Sequence, residues 1–382
     1  RRSPCAPTRV APHQPADPRF SDPIYIDGSE MGGESNFDEW RALPHVDYGS
    51  VWQAKDKLLR AYYEKSKPSK EFEAFIAAGG QALREHGRFE ARHDPSRLRY
   101  AMWLQWIADT QLAAAAKRGK DAGLELGIYR DLALGCAYEG GEVWARPQLY
   151  STSVSIGAPP DPFSRDGQVW NLPPFNPLVL QQESYQPFID IMRANMRHAG
   201  VLRIDHVLGF ARQFWVPRGA SGADGAYVTM PQADLLALTA LESELAKCVV
   251  IGEDLGTVPD GLRENLADAR ILSYRVLWFE QDETRFLAPG NYPQNAVACL
   301  SSHDLAPFKG WQEAAHPADI AKLQQAITDA GVNTGDLLSD VHAYVAMTPC
   351  AVMLVQADDL TQETEPLNVP GTDQERQNWL RR

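Results

Sequence analysis

The segment VLRIDHVLGF at residues 201–210 joins an apolar run to a cluster of charge. Val201, Leu202 and Ile204 read as a short buried strand that opens just after Gly200 and breaks at Asp205-His206. Arg203 and Asp205 are two residues apart, so on a strand both project from one face. A guanidinium beside a carboxylate favours its charged form, and the carboxyl end of a parallel barrel strand is where active sites are built. That combination suits a carboxylate nucleophile. Two later runs repeat the pattern: CVVIGED at 248–254 ends in Glu253-Asp254, and AVACLSSHD at 296–304 ends in His303-Asp304. A single acid after a strand is commonly a helix cap or a surface ion pair. Three strand ends that deliver acids to one face point instead to a site. The same ends also offer imidazole and carboxylate, the usual donors to a divalent metal in a barrel hydrolase, although no paired-histidine motif on a strand accompanies them.

The elements that must position these residues follow one rhythm. From residue 124 onward, strand-like runs at 126–132, 201–204, 248–252, 273–279, 296–302 and 351–355 are separated by helical stripes or long loops, the pattern of parallel β/α units. Phe188, Ile191, Met192, Met196 and Ala199 form one stripe, with Gly200 placed to end it. Leu238, Leu241 and Leu245 mark a second helix, Pro259 opens a short third, Ile320, Leu323 and Ile327 precede a stop at Gly331, and Leu337, Val341 and Val345 mark another. The first strand of this series ends in Arg130-Asp131, and the last runs out near Asp358 and Asp359. Upstream, PIYIDG at 23–28 is a strand candidate. Residues 29–123 read as helical, with Leu98, Met102 and Trp106 at four-residue spacing and their aromatics expected in a core rather than at a ligand. Residues 151–180 are dense in proline and glycine and read as a functional loop carrying Phe163 and Trp170, whose ring faces suit the apolar face of a sugar.

A chain of 382 residues exceeds the roughly 250 of a plain barrel. One barrel with an inserted subdomain is expected: an irregular start and early strand over 1–28, a helical insertion over 29–123, and a catalytic barrel over 124–382. A formal net charge of −13 argues against nucleic acid or an anionic membrane as the main partner and is compatible with a neutral ligand. The five cysteines show no paired spacing, which favours buried free thiols and a cytoplasmic setting. No apolar stretch reaches membrane-span length. The first twenty residues are rich in proline and arginine without an apolar signal core.

RIDHVLGF, VIGEDLGTVP at 250–259 and SSHDL at 301–305, joined by RDLALG at 130–135, GAPPDPFSRDGQVW at 157–170 and NVPGT at 368–372, resemble the signature segments of the 4-α-glucanotransferase (amylomaltase, disproportionating enzyme) family of the α-amylase clan. The resemblance runs from about residue 22 to the end. It implies an α/β fold, a (β/α)8 TIM-type barrel with a helical insertion, relative to which the chain is expected to lack the first strand and the closing helix; NWLRR at 378–382 reads as the start of that helix. It further implies retaining transfer of α-1,4-glucan segments between maltooligosaccharides through a covalent glucosyl-enzyme, with no cofactor. Asp205 would be the nucleophile and Glu253 the general acid/base, a pair that works at about 5 Å separation. Arg203 would favour ionised Asp205, and surrounding carboxylates would raise the proton affinity of Glu253. By resemblance Asp304 binds sugar hydroxyls and stabilises the transition state, His303 hydrogen-bonds beside it, Asp131 helps hold the constellation, His206 orients from behind, and Trp170 in the loop with Phe163 is a sugar platform. Three positions depart from the family pattern: Pro162 for an aromatic, Asn171 for a glycine, and His13 for a tyrosine that contacts sugar. Three readings stand beside transfer: an α-glucan hydrolase of the same clan, a glucan-binding chain without turnover, and the metal-dependent hydrolase.

Overall fold

The six strand-like runs downstream of residue 124 all become strands, five of them shorter than their apolar runs and the one at 201–204 unchanged. The computed structural model describes residues 14–31, 38–67, 69–160, 164–370, 372, 376 and 378–381; His13, Pro162 and Phe163 lie outside them. The chain divides into two units. The first comprises Arg1–Asp205, Arg212–Cys248 and Leu380–Arg382, and the second comprises His206–Ala211 and Val249–Trp379.

In the first unit β1 (Tyr129–Leu132) pairs parallel with the later strand Val201–Ile204, and the register sets Asp131 opposite Arg203. Between these strands in sequence lie β2 (Val154–Ala158) and β3 (Gln168–Val169), so Val201–Ile204 is β4. Gly200 is required where β4 begins, because a Cβ there would fall 1.5 Å from the Leu126 carbonyl oxygen. It does not end the preceding helix as expected. That helix, Gln186–Met196, stops at Arg197, and His198 takes the left-handed turn with φ of 65°. The helix itself buries the expected Phe188, Ile191, Met192 and Met196.

The proline-rich loop at 151–180 and the stretch after residue 211 hold what the sequence reading missed, a four-stranded antiparallel sheet. Its order is β3-β2-β5-β6, with β5 at Arg212–Pro217 and β6 at Ala226–Thr229. Ile156 faces Trp215 and Phe214 faces Tyr227 across the ladders. Gly157 permits the close approach of β3, since a Cβ there would lie 2.1 Å from the Gln168 carbonyl oxygen.

Three helices form the expected helical region: Tyr48–Lys65, capped by the Asp47 side chain; Lys70–Glu90, capped by Ser69; and Leu98–Asp121. Trp52, Leu59, Phe72, Leu83, Met102 and Trp103 pack into one core, so the aromatic stripe is interior, as expected. Two further expectations, PIYIDG as a strand and NWLRR as a helix start, are corrected. PIYIDG is not a strand: Asp22 caps a 3-10 turn at Pro23–Tyr25, and Lys55 Nζ binds the carbonyls of Ile24 and Ile26 at 2.5 and 2.9 Å. The helix expected at Leu238, Leu241 and Leu245 forms over Gln232–Ala246; it buries the face of Leu235, Leu236, Thr239 and Glu242, and Leu241 and Leu245 are 52% and 65% exposed. The NWLRR segment does not start a helix, for Leu380 accepts from Val46 N and Arg381 bridges antiparallel to His45.

The second unit carries four parallel strands in the order β7 (Val249–Gly252), β8 (Leu272–Val276), β9 (Ala296–Cys299) and β10 (Val352–Leu354). Helices Leu262–Asp268, Pro317–Asp329 and Leu337–Ala346 fall between them in sequence. Gly331, with φ of 72°, follows the second of these as expected. β9 is buried at all four positions, as a strand covered on both faces must be. Leu277, Leu300, Phe308, Leu323, Val341 and Tyr344 form the core under the helices. Strand, helix and parallel strand in repetition are the construction of the TIM-type α/β class. No helix among the described residues is long and apolar enough to cross a membrane.

Candidate active site

In the first unit Arg203 is the hub. Its side chain is 5% exposed, which is tolerable for a charge only when it is paired. Nη1 donates to both carboxylate oxygens of Asp131, at 2.8 and 3.0 Å, and lies 3.0 Å from Asp205 Oδ1. Strand geometry explains the cluster: parallel register sets Asp131 beside Arg203, and Asp205, two residues on, stands on the same face. The chain at Asp205 is held by its N–H to the Leu132 carbonyl at 3.0 Å. Two carboxylates thus share one guanidinium at the carboxyl ends of two parallel strands.

In the second unit Glu253 follows β7 and is 8% exposed. Its partners are main-chain amides: His206 N–H donates to Oε2 at 2.9 Å and Leu255 N–H to Oε1 at 2.9 Å. The His206 contribution comes from its backbone, held left-handed with φ of 48°, followed by Val207 N–H on the Glu253 carbonyl at 3.0 Å. A Cβ on Gly252 would meet Val207 Cγ1 at 2.8 Å, so the glycine lets that turn pack against the strand.

The neighbouring Asp254 is fully buried and committed to structure. It accepts from Tyr274 N–H at 2.7 Å, from Arg263 Nε at 2.9 Å and from the Ser273 hydroxyl. Two acids adjacent in sequence therefore have different work: Asp254 ties β7 to β8, and Glu253 faces a turn. A carboxylate so fully engaged is a poor metal donor, and among the described residues no group of three His, Cys, Asp or Glu is arranged to hold a metal ion.

Asp304 stands after β9. Its Oδ1 accepts from Asn368 Nδ2 at 2.6 Å, and Oδ2 lies 3.3 Å from His303 Nε2. Asn368 N–H in turn binds the His303 carbonyl at 3.0 Å, and the Trp379 ring lies 5.3 Å from the His303 ring. Asn368 and Trp379 were not singled out from the sequence. Asn368 opens the NVPGT segment that contributed to the family resemblance, but its partner is 64 residues away, so the sequence did not assign it to Asp304.

Trp170 lies beyond β3 in the antiparallel sheet, with its indole N–H on Gln168 Oε1 at 2.9 Å. It stands on a different sheet from Arg203. The next residue, Asn171, has φ of 57°, a left-handed conformation that asparagine tolerates better than most side chains. The position where glycine was expected thus keeps the backbone that glycine would supply.

The sequence signature of the 4-alpha-glucanotransferase family matches residues 3–96 and 91–382. The chain belongs to this family. Among relatives, the 4-alpha-glucanotransferase of Haemophilus influenzae is 37% identical over 351 residues, covering 82% of this chain and 49% of that protein. The Mycobacterium bovis 4-alpha-glucanotransferase is 29% identical and covers 98% and 62%. The chain therefore spans about half to three-fifths of the length of these relatives. Amylomaltase from Corynebacterium glutamicum superposes with a TM-score of 0.89 at 30% identity, over 98% of this chain and 64% of that one. At 18% identity and a TM-score of 0.85, the Streptococcus agalactiae amylomaltase, solved with acarbose, shares the fold. Membership of the 4-alpha-glucanotransferase family leaves the metal-dependent hydrolase without support.

Proposed function

We propose that this chain transfers α-1,4-glucan segments between maltooligosaccharides by double displacement with retention. The observation that carries the reading is the shared guanidinium: Arg203 binds Asp205 and Asp131 together, on the motif that drew the family resemblance. The planar guanidinium fixes the Asp205 carboxylate in position at the end of its strand, as a nucleophile requires. Asp205 attacks the anomeric carbon while Glu253 gives a proton to the departing glycosidic oxygen. The glucosyl-enzyme is then opened by a sugar hydroxyl, whose proton returns to Glu253. Asp304, with Asn368 and His303 beside it, binds sugar hydroxyls as positive charge develops on the ring. Asp131 orients Arg203, and the His206 backbone orients Glu253. Trp170 and Phe163 serve as sugar platforms. Helices between residues 29 and 123 act as an insertion that supports the barrel. No cofactor enters these steps. Cys136, Cys248, Cys299 and Cys350 are free thiols, the first three buried, which supports a reducing, cytoplasmic compartment.

The test is incubation of the purified chain with maltotriose while product lengths and total reducing ends are both followed. Glucose plus longer oligosaccharides at constant reducing ends is the expected result. Rising reducing ends would replace transfer by hydrolysis, and no turnover by folded protein would leave glucan binding alone.

A further inference from the structure

Asp131 turns toward Arg203, so its strand neighbour Arg130 projects from the opposite face of β1. There Arg130 lines a cavity of about 30 Å³ with Arg19, Gln105, Asp109, Arg197 and His198. One water needs about 10–15 Å³ in that measure, so the space admits a small polyatomic group. None of Asp131, Arg203 and Asp205 lines it.

The wall is cationic and incompletely neutralised. Arg19 is committed to Asp17, with Nε and Nη2 at 2.9 and 2.7 Å from its two oxygens. Arg197 Nη2 and His198 Nε2 converge on a single oxygen, Asp109 Oδ1, at 2.7 and 3.1 Å. Arg130 makes no ion pair among the described residues. Its hydrogen bonds use Nη1 only, to the carbonyls of Ala194 and Asn195 at 3.1 and 3.3 Å, where helix Gln186–Met196 ends. Setting Asp109 against Arg130 and Arg197 leaves one positive charge with His198 neutral. Burial, and then the Arg197 charge, push the Arg130 pKa down, as happens to a buried guanidinium short of counter-charge.

We propose that this cavity binds a small oxyanion of the phosphate class, held by the Nε–Nη2 edge of Arg130 with Arg197 and His198 at its mouth. A planar guanidinium edge matches two oxygens of such an anion, which leaves its remaining oxygens for Arg197 and the His198 ring. Phosphate has acceptors for all three groups, where a carboxylate has two oxygens. The proposal does not rest on the function assigned to Asp205 and Glu253, and its test reads binding rather than turnover.

Inorganic phosphate is titrated into the full chain at constant ionic strength, with chloride as the balancing anion, and followed by calorimetry and by thermal denaturation. Saturable binding to one site is expected, with a Tm rise that saturates over the same range. Loss of one charge-assisted contact, worth about tenfold or more in affinity, is expected for Arg130→Met and for Arg197→Gln. The Arg197 side chain is about half exposed, so its replacement tests the site even if Arg130→Met fails to fold. A Tm rise that never saturates and is equal in both variants would be the general exclusion effect of phosphate on protein surfaces and would overturn the proposal. Acetate binding as tightly as phosphate would overturn the phosphate class.

Discussion

The candidate-site carboxylates of the two units, Asp131 and Asp205 in one and Glu253 and Asp304 in the other, are held by different means. In the first, Asp131 and Asp205 are held by the charge of Arg203, which is nearly out of solvent. In the second, Glu253 is held by two peptide N–H groups and Asp304 by an asparagine amide. A planar guanidinium positions two carboxylates at once and sets a counter-charge beside them, whereas an amide N–H positions a single oxygen. The difference matches the division of labour proposed above: Asp205 has to stay ionised until it bonds to carbon, whereas Glu253 must carry a proton in one half of the cycle and lose it in the other.

The largest effect expected from breaking this comparison is at the charge-held acid. Asp205→Asn keeps the side-chain shape and removes the nucleophile, so maltotriose turnover is expected to fall on the order of 10⁴-fold or more, with far-UV circular dichroism and Tm close to the parent. Normal turnover in that variant would sink the assignment of Asp205. Next comes the guanidinium. Arg203→Lys retains a charge but lacks the planar fork that meets two carboxylates at once, and a misplaced reacting group can cost about 10²-fold. That loss is expected in kcat, with KM changed less. The neutral contact sharpens the contrast: Asn368→Ala removes one hydrogen bond to a carboxylate and is expected to cost about tenfold in kcat/KM. If it cost as much as Arg203→Lys, neutral and charged support would count alike and the comparison would fail.

What was legible in the sequence follows the same physics. Val201-Leu202 beside Arg203 and Asp205 announced a strand and its functional end because burial pattern and charge sit within five residues. The six parallel strands were readable for that reason. β2, β3, β5 and β6 were not: they are two to six residues long, interrupted by proline and glycine, and β2 finds its β5 partners some sixty residues away. Leu241 and Leu245 show the converse failure, since leucines at helical spacing name a helix without saying which face is inside. Here Glu242 lies on the buried side and accepts from the exposed Arg193, with both contacts at 2.8 Å. Asp254 stands beside Glu253 at the same acid-bearing strand end, and only its contacts with Arg263, Ser273 and Tyr274 mark it as a structural acid.

The contrast between charged and neutral support can also be tested inside the first unit, where it sets a smaller effect on stability. Glu142 is fully buried, accepts from the Tyr150 hydroxyl at 2.5 Å, and lies 3.9 Å from Arg19, whose fork is already engaged with Asp17. Burial, with the nearby Asp17 charge, pushes its pKa up. A carboxylate without a guanidinium of its own thus becomes easier to protonate than one in water. The linkage sign follows: the folded state holds this proton more tightly than the unfolded chain, so the contribution is fully present below the ordinary carboxylate pKa. It is lost as pH rises through the higher folded value. His86 acts in the opposite direction. Burial pushes its pKa down to about 4, so its contribution is present above the ordinary imidazole value and is lost as pH falls through the folded one. Between them they place maximum stability in mildly acidic solution. Glu142→Gln keeps the acceptor for Tyr150 and removes the titration. Stability from denaturant unfolding at pH 8 relative to pH 5 is expected to be more favourable in the variant than in the parent, because the His86 contribution is no longer offset, by an amount on the order of 1 kcal/mol. An unchanged difference would mean that Glu142 stays ionised in the folded protein, and burial would not govern its protonation.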